Sequence, residues 1–174
     1  GAGLYFRPAA DREPLSITLG AIQGNVPTRE KLTLAGINQG VEAYTEGYLA
    51  LAVEGVDAVV TPEGAIPLMW DAEAARLTPL MAAVRRVGVP LWLGTFAPLP
   101  GGDPRQYTQS LLDIRQDGLP HGRYNKIQLV PLGEYIPFEP LLGLVINRLS
   151  PLDSYMVPGD LNQTFETSIG TGIV

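Results

Sequence analysis

Between Leu15 and Arg115 the sequence alternates short apolar runs with stretches of helical period, and this alternation limits the fold more than any other feature. Leu15–Gln23 (LSITLGAIQ), Val56–Thr61 (VDAVVT) and Pro90–Phe96 (PLWLGTF) read as buried strands, the first closed on Gly24-Asn25 and the second on Pro62. The first interval reads as a helix opened by Pro27–Glu30, with Thr28 as N-cap, running to Val53 and stopped at Gly55. Leu34, Ile37, Val41, Tyr44, Tyr48 and Leu51 fall on one face of it. The second interval, Asp71–Val87, reads as a helix kinked at Pro79 and closed by Gly88, with Ala72, Ala75, Leu77, Leu80, Met81 and Val84 as its buried stripe. A strand apolar on both faces, such as Val56–Thr61, belongs inside a parallel sheet. The order strand, helix, strand, helix, strand, then strands alone, predicts a layered α/β sandwich.

Gln106–Arg115 reads as a fourth strand, turning through Gln116-Asp117-Gly118 into a return strand that begins at Gly122–Tyr124. Gly159-Asp160 reads as a turn, and Thr164–Thr167 and Ile169–Val174 as two further strands. Gly1–Pro14 has the composition of a linker, so residues 15–174 are expected to form one domain. Both ends read as cut from something longer, the last in mid-strand. The net charge is −6 and only Arg85-Arg86 adjoin, which argues against a nucleic-acid partner. With no cysteine there is no disulfide, thiolate metal site or thiol nucleophile within these residues. His121 is the one histidine, which makes a zinc site improbable, and it reads as a loop residue. No run approaches the ~20 apolar residues of a transmembrane helix, and no signal peptide is visible.

Gly122–Glu139 (GRYNKIQLVPLGEYIPFE) is neither a good helix nor a good central strand. Pro131 and Pro137 cannot donate backbone hydrogen bonds, and Gly133 permits a sharp turn between them. The stretch reads as a rigid loop holding Lys126 and Glu134, and loops of that kind carry sites. Spacing alone fits a Pro-rich connection with a surface lysine and glutamate at least as well. Glu63, pinned between Pro62 and Gly64 at the end of a buried strand, is either a cleft carboxylate or an exposed turn acid. A fixed ammonium can stabilise an oxyanion, and a carboxylate can act as general base. Phe138–Leu149 is apolar enough to be a core helix or a lid facing lipid.

Three motifs, in this order, resemble the nitrilase-type domain of the apolipoprotein N-acyltransferase family: QGNVP (Gln23–Pro27), TPEGAIP (Thr61–Pro67) and RYNKIQLVPLGEYIPFE (Arg123–Glu139). The resemblance runs from about Ile17 to Val174. It implies a nitrilase-like α-β-β-α sandwich, left incomplete by these residues, and a Glu-Lys-Cys triad. Glu63 matches the general base, Lys126 the lysine that stabilises the tetrahedral oxyanion, and Glu134 a second glutamate that supports the lysine and the leaving group. The cysteine of such a triad would follow the strand that Ile169–Val174 resembles. The resemblance further implies ping-pong acyl transfer from a phospholipid donor to the N-terminal diacylglyceryl-cysteine of a lipoprotein, without metal or organic cofactor. It places the domain on the periplasmic side of a bacterial inner membrane, anchored by transmembrane segments absent from this chain. Two positions depart from the family pattern. Leu32 stands near where a tryptophan is expected, and Thr108-Gln109-Ser110 replaces Tyr-Asn-Ser or Tyr-Asn-Thr.

Two other functions fit the same residues. One is a soluble amidase or nitrilase of the same superfamily, and the other a non-catalytic binding module that keeps the fold without the nucleophile.

Overall fold

The computed structural model describes residues 5–7, 16–24, 33–128 and 155–173. Its centre is a sheet of seven strands: β2 (Leu19–Ala21), β3 (Ala58–Val60), β4 (Ile66–Met69), β5 (Leu91–Pro98), β6 (Gln106–Ile114), β7 (Pro120–Asn125) and β8 (Tyr155–Met156). The main path runs β2-β3-β5-β6-β7. β2, β3 and β5 are parallel, so the expected central parallel strand is β3, with Val59 and Ala58 fully buried. β5, β6 and β7 are antiparallel.

Two strands are split. β3 pairs with the start of β5 (Val59 with Leu91) and β4 with its end (Ile66 with Thr95), along the edge opposite β6. Likewise β7 pairs with one part of β6 (Ser110 with Asn125) and β8 with the other (Tyr107 with Met156). β4 escapes sequence reading because it is short and contains Pro67, which marks an edge or an irregular strand. Its register is in fact irregular between Ile66 and Met69.

One face of the sheet is covered by α1 (Leu34–Val53) and α3 (Pro79–Val87). Val41, Tyr44 and Tyr48 of α1 and Leu80, Met81 and Val84 of α3 are buried there, against Val59, Leu91, Leu93, Leu112 and Ile114. Each large apolar side chain so enclosed contributes about 1.5–3 kcal/mol. The Tyr48 hydroxyl donates to the Val89 carbonyl at 2.6 Å and ties α1 to the approach of β5.

The helix boundaries depart from the sequence reading in three respects. The cap of α1 is Thr33, extended at φ −91°, its side chain accepting from the Gly36 amide, so α1 opens there, while Thr28, the expected cap, lies outside the described residues. Asp71–Val87 is two helices, α2 (Ala72–Arg76) and α3, rather than one kinked helix. Pro79 has no N–H to give a preceding turn, and Thr78 is extended and caps α3, so the chain restarts there. Leu34 and Leu77, placed on the buried stripes, are 66% and 88% exposed, since each sits at a helix boundary that the core does not reach. The stops at Gly55 and Gly88 hold, with φ of 78° and 83°.

A second sheet orders β1-β10-β9, with β1 (Tyr5–Arg7), β9 (Thr164–Thr167) and β10 (Gly170–Ile173) all antiparallel. Tyr5–Arg7 lies in the stretch whose composition reads as linker, yet it pairs as a strand along β10. Backbone groups make such a ladder whatever the side chains, so composition does not reveal it. Gln116–Leu119 is the expected hairpin connection, with Gly118 at φ 77°. The turn expected at Gly159-Asp160 falls at Leu161-Asn162 instead, where the Gln163 side chain donates to the Asp160 carbonyl. Phe165 of β9 reaches the second face of the large sheet, its ring edge-on to Trp92 at 5.3 Å. β9 passes so near β7 that a Cβ on Gly122 would lie 1.8 Å from the Glu166 carbonyl oxygen. Beneath it Asp113, fully buried, accepts from the Trp92 indole at 3.1 Å and from Arg115 at 3.0 Å.

Candidate active site

The two split strands define the site. The chain leaves the sheet after β3 at Thr61 and rejoins as β4 at Ile66, and Glu63 lies in that gap. On the far side of the β5–β6 pair the chain leaves after β7 at Asn125, and Lys126 is the first residue out. Both exits sit at the same level of the sheet, since Gly94 pairs with Leu111, Thr95 with Ser110 and Phe96 with Gln109. Glu63 and Lys126, 63 positions apart, therefore meet across the pair, and Lys126 Nζ forms an ion pair with Glu63 Oε1.

Each side is held by backbone contacts. The Gly94 amide donates to Thr61 Oγ1 at 2.9 Å, and Ala65 N–H closes the turn on the Pro62 carbonyl at 3.2 Å. Gly94 is needed for its lack of a side chain: a Cβ there would sit 2.2 Å from the Pro62 carbonyl oxygen and 3.1 Å from Glu63 Cα. On the other side Lys126 N–H donates to the Gln109 carbonyl at 2.8 Å, and its own carbonyl accepts from Gly159 at 2.9 Å. The Gln163 side chain grips the preceding peptide from both ends, accepting from Asn125 N–H at 2.8 Å and donating to the Asn125 carbonyl.

The ion pair is open to water, with the side chains of Lys126 and Glu63 25% and 51% exposed. Such pairs contribute about 0–1 kcal/mol to stability. A carboxylate so placed can take a proton from a nucleophile, and the ammonium can face a developing oxyanion.

Of the residues singled out from the sequence, Glu63 and Lys126 are brought together, and Glu134 lies outside the described residues, as does Phe138–Leu149. His121 is not in a loop. It belongs to β7, because the return strand begins at Pro120, two residues before Gly122, and its Nε2 lies 2.6 Å from Asp117 Oδ2. The Leu119 amide and then His121 hold the Asp117 carboxyl below the usual carboxylate range, a contact that fastens the hairpin. A cleft bordered by Trp70, Pro98, Leu99, His121 and Arg123 lies along β5 and β7 and touches neither Glu63 nor Lys126. Gly94, Asn125 and Gln163 escaped sequence reading. The clue was available for one neighbourhood only: in QYTQSLLDI the period-2 face of Leu112 and Ile114 continues into Thr108 and Ser110, two hydroxyls on a core face.

The fold is that of the carbon–nitrogen hydrolases. The structure superposes on a carbon–nitrogen hydrolase from Helicobacter pylori G27 with a TM-score of 0.54 and 19% identity, over 88% of this chain and 49% of that one. Within that fold, the chain matches one stretch of the apolipoprotein N-acyltransferases along its whole length. It is 45% identical over 174 residues to an apolipoprotein N-acyltransferase from Nostoc sp., covering all of this chain and 34% of the relative. It is 49% identical over 172 residues to one from Thermosynechococcus vestitus, covering 98% and 32%. The chain thus spans about a third of the length of the curated relatives it matches. No family model matches the chain. Among the described residues no helix is long and apolar enough to cross a membrane.

Proposed function

We propose that residues 15–174 are the larger part of a domain that moves a fatty acyl group from a phospholipid to the N-terminal amine of a diacylglyceryl-cysteine lipoprotein. The observation that carries this reading is the contact between Glu63 and Lys126 at the ends of split strands, in a chain 45% identical to a relative bearing the acyltransferase name. The nucleophile would be a cysteine thiol supplied by a part of the protein outside these 174 residues, which contain none. Glu63 takes the thiol proton and the thiolate attacks the ester carbonyl of the donor. The C–S bond forms, and Lys126 faces the oxyanion of the tetrahedral intermediate. The C–O bond then breaks, and the lysophospholipid alcohol leaves with the proton held by Glu63. In the second half the lipoprotein α-amine attacks the thioester, the C–N bond forms, Glu63 accepts the amine proton, the C–S bond breaks, and Glu63 returns the proton to the cysteine sulfur. Glu134 supports Lys126 and the leaving group. The reaction belongs at the periplasmic face of a bacterial inner membrane, where both substrates present acyl chains.

The test uses the full-length protein with phospholipid vesicles and a diacylglyceryl lipopeptide. Glu63→Gln and Lys126→Ala should each lower acyl transfer by about 10²–10³-fold or more, and Glu63→Gln should prevent accumulation of the acyl-thioester. Wild-type rates in either variant would remove that residue from the reaction.

A further inference from the structure

On the helix-covered face of the sheet, directly behind the exit of Lys126, four side chains close a hydrogen-bond ring. Arg123 Nη2 donates to Thr108 Oγ1 at 2.6 Å. Thr108 Oγ1 and Ser110 Oγ lie 2.7 Å apart, and Ser110 donates to Asn125 Oδ1 at 2.8 Å. Arg123 Nε closes the ring on the same Oδ1 at 2.6 Å, and Thr108 Oγ1 lies 3.0 Å from it. The proton directions follow from Arg123, which can only donate. Thr108 must accept from it and passes its own proton on, and the atom of Asn125 that Arg123 meets must be the oxygen. Two further guanidinium hydrogens go to the carbonyls of Pro98, at 2.8 Å, and Ala97, at 3.3 Å. Burial pushes Arg123 below the ordinary arginine value, in keeping with a cation whose partners here are all neutral.

Thr108 and Ser110 are 0% and 4% exposed. Hydroxyls on a core face offer no stability that apolar side chains would not match, and they stay affordable only while fully bonded. What the ring does achieve is to join β5, β6 and β7 at one level and fix the side chain of the residue immediately before Lys126. We propose that Arg123, Thr108, Ser110 and Asn125 are positioning residues that hold Lys126 on Glu63. The catalytic significance of this rests on the acyl-transfer reading, but the placement itself does not.

The rate of reductive methylation at Lys126, read by mass spectrometry on the peptide that carries it after digestion of the full-length protein, reports its hold directly. Thr108→Val and Ser110→Ala should raise that rate about 3–10-fold while melting stays within about 3 °C of the parent. They should lower kcat for acyl transfer by about 10–100-fold with the donor KM within about twofold, and Thr108→Ser and Ser110→Thr should recover most of it. Ser110→Ala, the smaller change, carries the result if Thr108→Val does not fold. Parental methylation rates and parental kcat in folded Ser110→Ala would overturn the proposal, as would losses of kcat that track melting temperature and are not recovered by the conservative variants. Glu63→Gln is run alongside. If it stays active while the ring variants expose Lys126, the acyl-transfer reading falls and the positioning stands. If it is inactive while the ring variants behave as the parent, the positioning alone falls.

Discussion

Replacing Gly94 by alanine probes the link between sheet packing and the site. The added methyl would lie 2.2 Å from the Pro62 carbonyl oxygen and 3.1 Å from both Pro62 C and Glu63 Cα. All three are backbone atoms, so no flexible side chain can swing aside. The turn cannot simply lift away either, because Thr61 Oγ1 is tied to the Gly94 amide at 2.9 Å. To restore van der Waals contact the Pro62–Glu63 segment must move by roughly 1 Å. Overpacking of this kind costs about 1–3 kcal/mol, and a rigid backbone neighbour puts the cost near the upper end. At this size, 2 kcal/mol lowers the melting temperature by about 4–8 °C. A displacement of roughly 1 Å at a reacting group lowers a rate by about 100-fold, so acyl transfer should fall further than stability alone explains. The assay is thermal unfolding and acyl transfer of Gly94→Ala in the full-length protein, at a temperature where the variant is fully folded. A melting point within about 1 °C of the parent and a rate within about twofold would refute the reasoning.

Two further outcomes concern the core. Burial pushes the Tyr48 hydroxyl up to about 12 from its ordinary 10, against the opposing effect of its bond to Val89. The folded state therefore prefers the protonated phenol, and its stabilising contribution is complete below about pH 10 and is lost as the pH rises through 12. Urea unfolding across that window should show a steeper decline for the parent than for Tyr48→Phe, which also loses about 1 kcal/mol at neutral pH with the hydrogen bond. Identical slopes would contradict this. Trp92→Phe keeps a ring beside Phe165 but takes a donor from the buried Asp113 carboxylate. It should cost about 1.5–3 kcal/mol, read from the denaturant midpoint, and a change below about 0.5 kcal/mol would show that Arg115 alone satisfies that group.

Local sequence was enough for β2, α1, β3, α3, β5 and β6 and for the parallel centre, but not for β1, β4 or β8 or for the break between α2 and α3. Apolar periodicity marks β3, β5, α1 and α3 because burial on one face or both is written into local composition. Glycine at Gly55 and Gly88 marks the helix ends because few other residues tolerate positive φ. Motif order singled out Glu63 and Lys126, which the structure brings into contact, although spacing alone could not tell a site from a surface turn. The tertiary structure decided what depends on distant chain. Only the split pairing of β3/β4 and β7/β8 along the β5–β6 pair explains why residues 63 positions apart touch. Gly94 and Gly122 matter through the backbone that passes over them, which no local pattern records. Thr108 and Ser110 look misplaced on a core face until Arg123 and Asn125 arrive from the next strand to satisfy them. The strand at Tyr5–Arg7 exists because β10, more than 160 residues later, offers it a ladder.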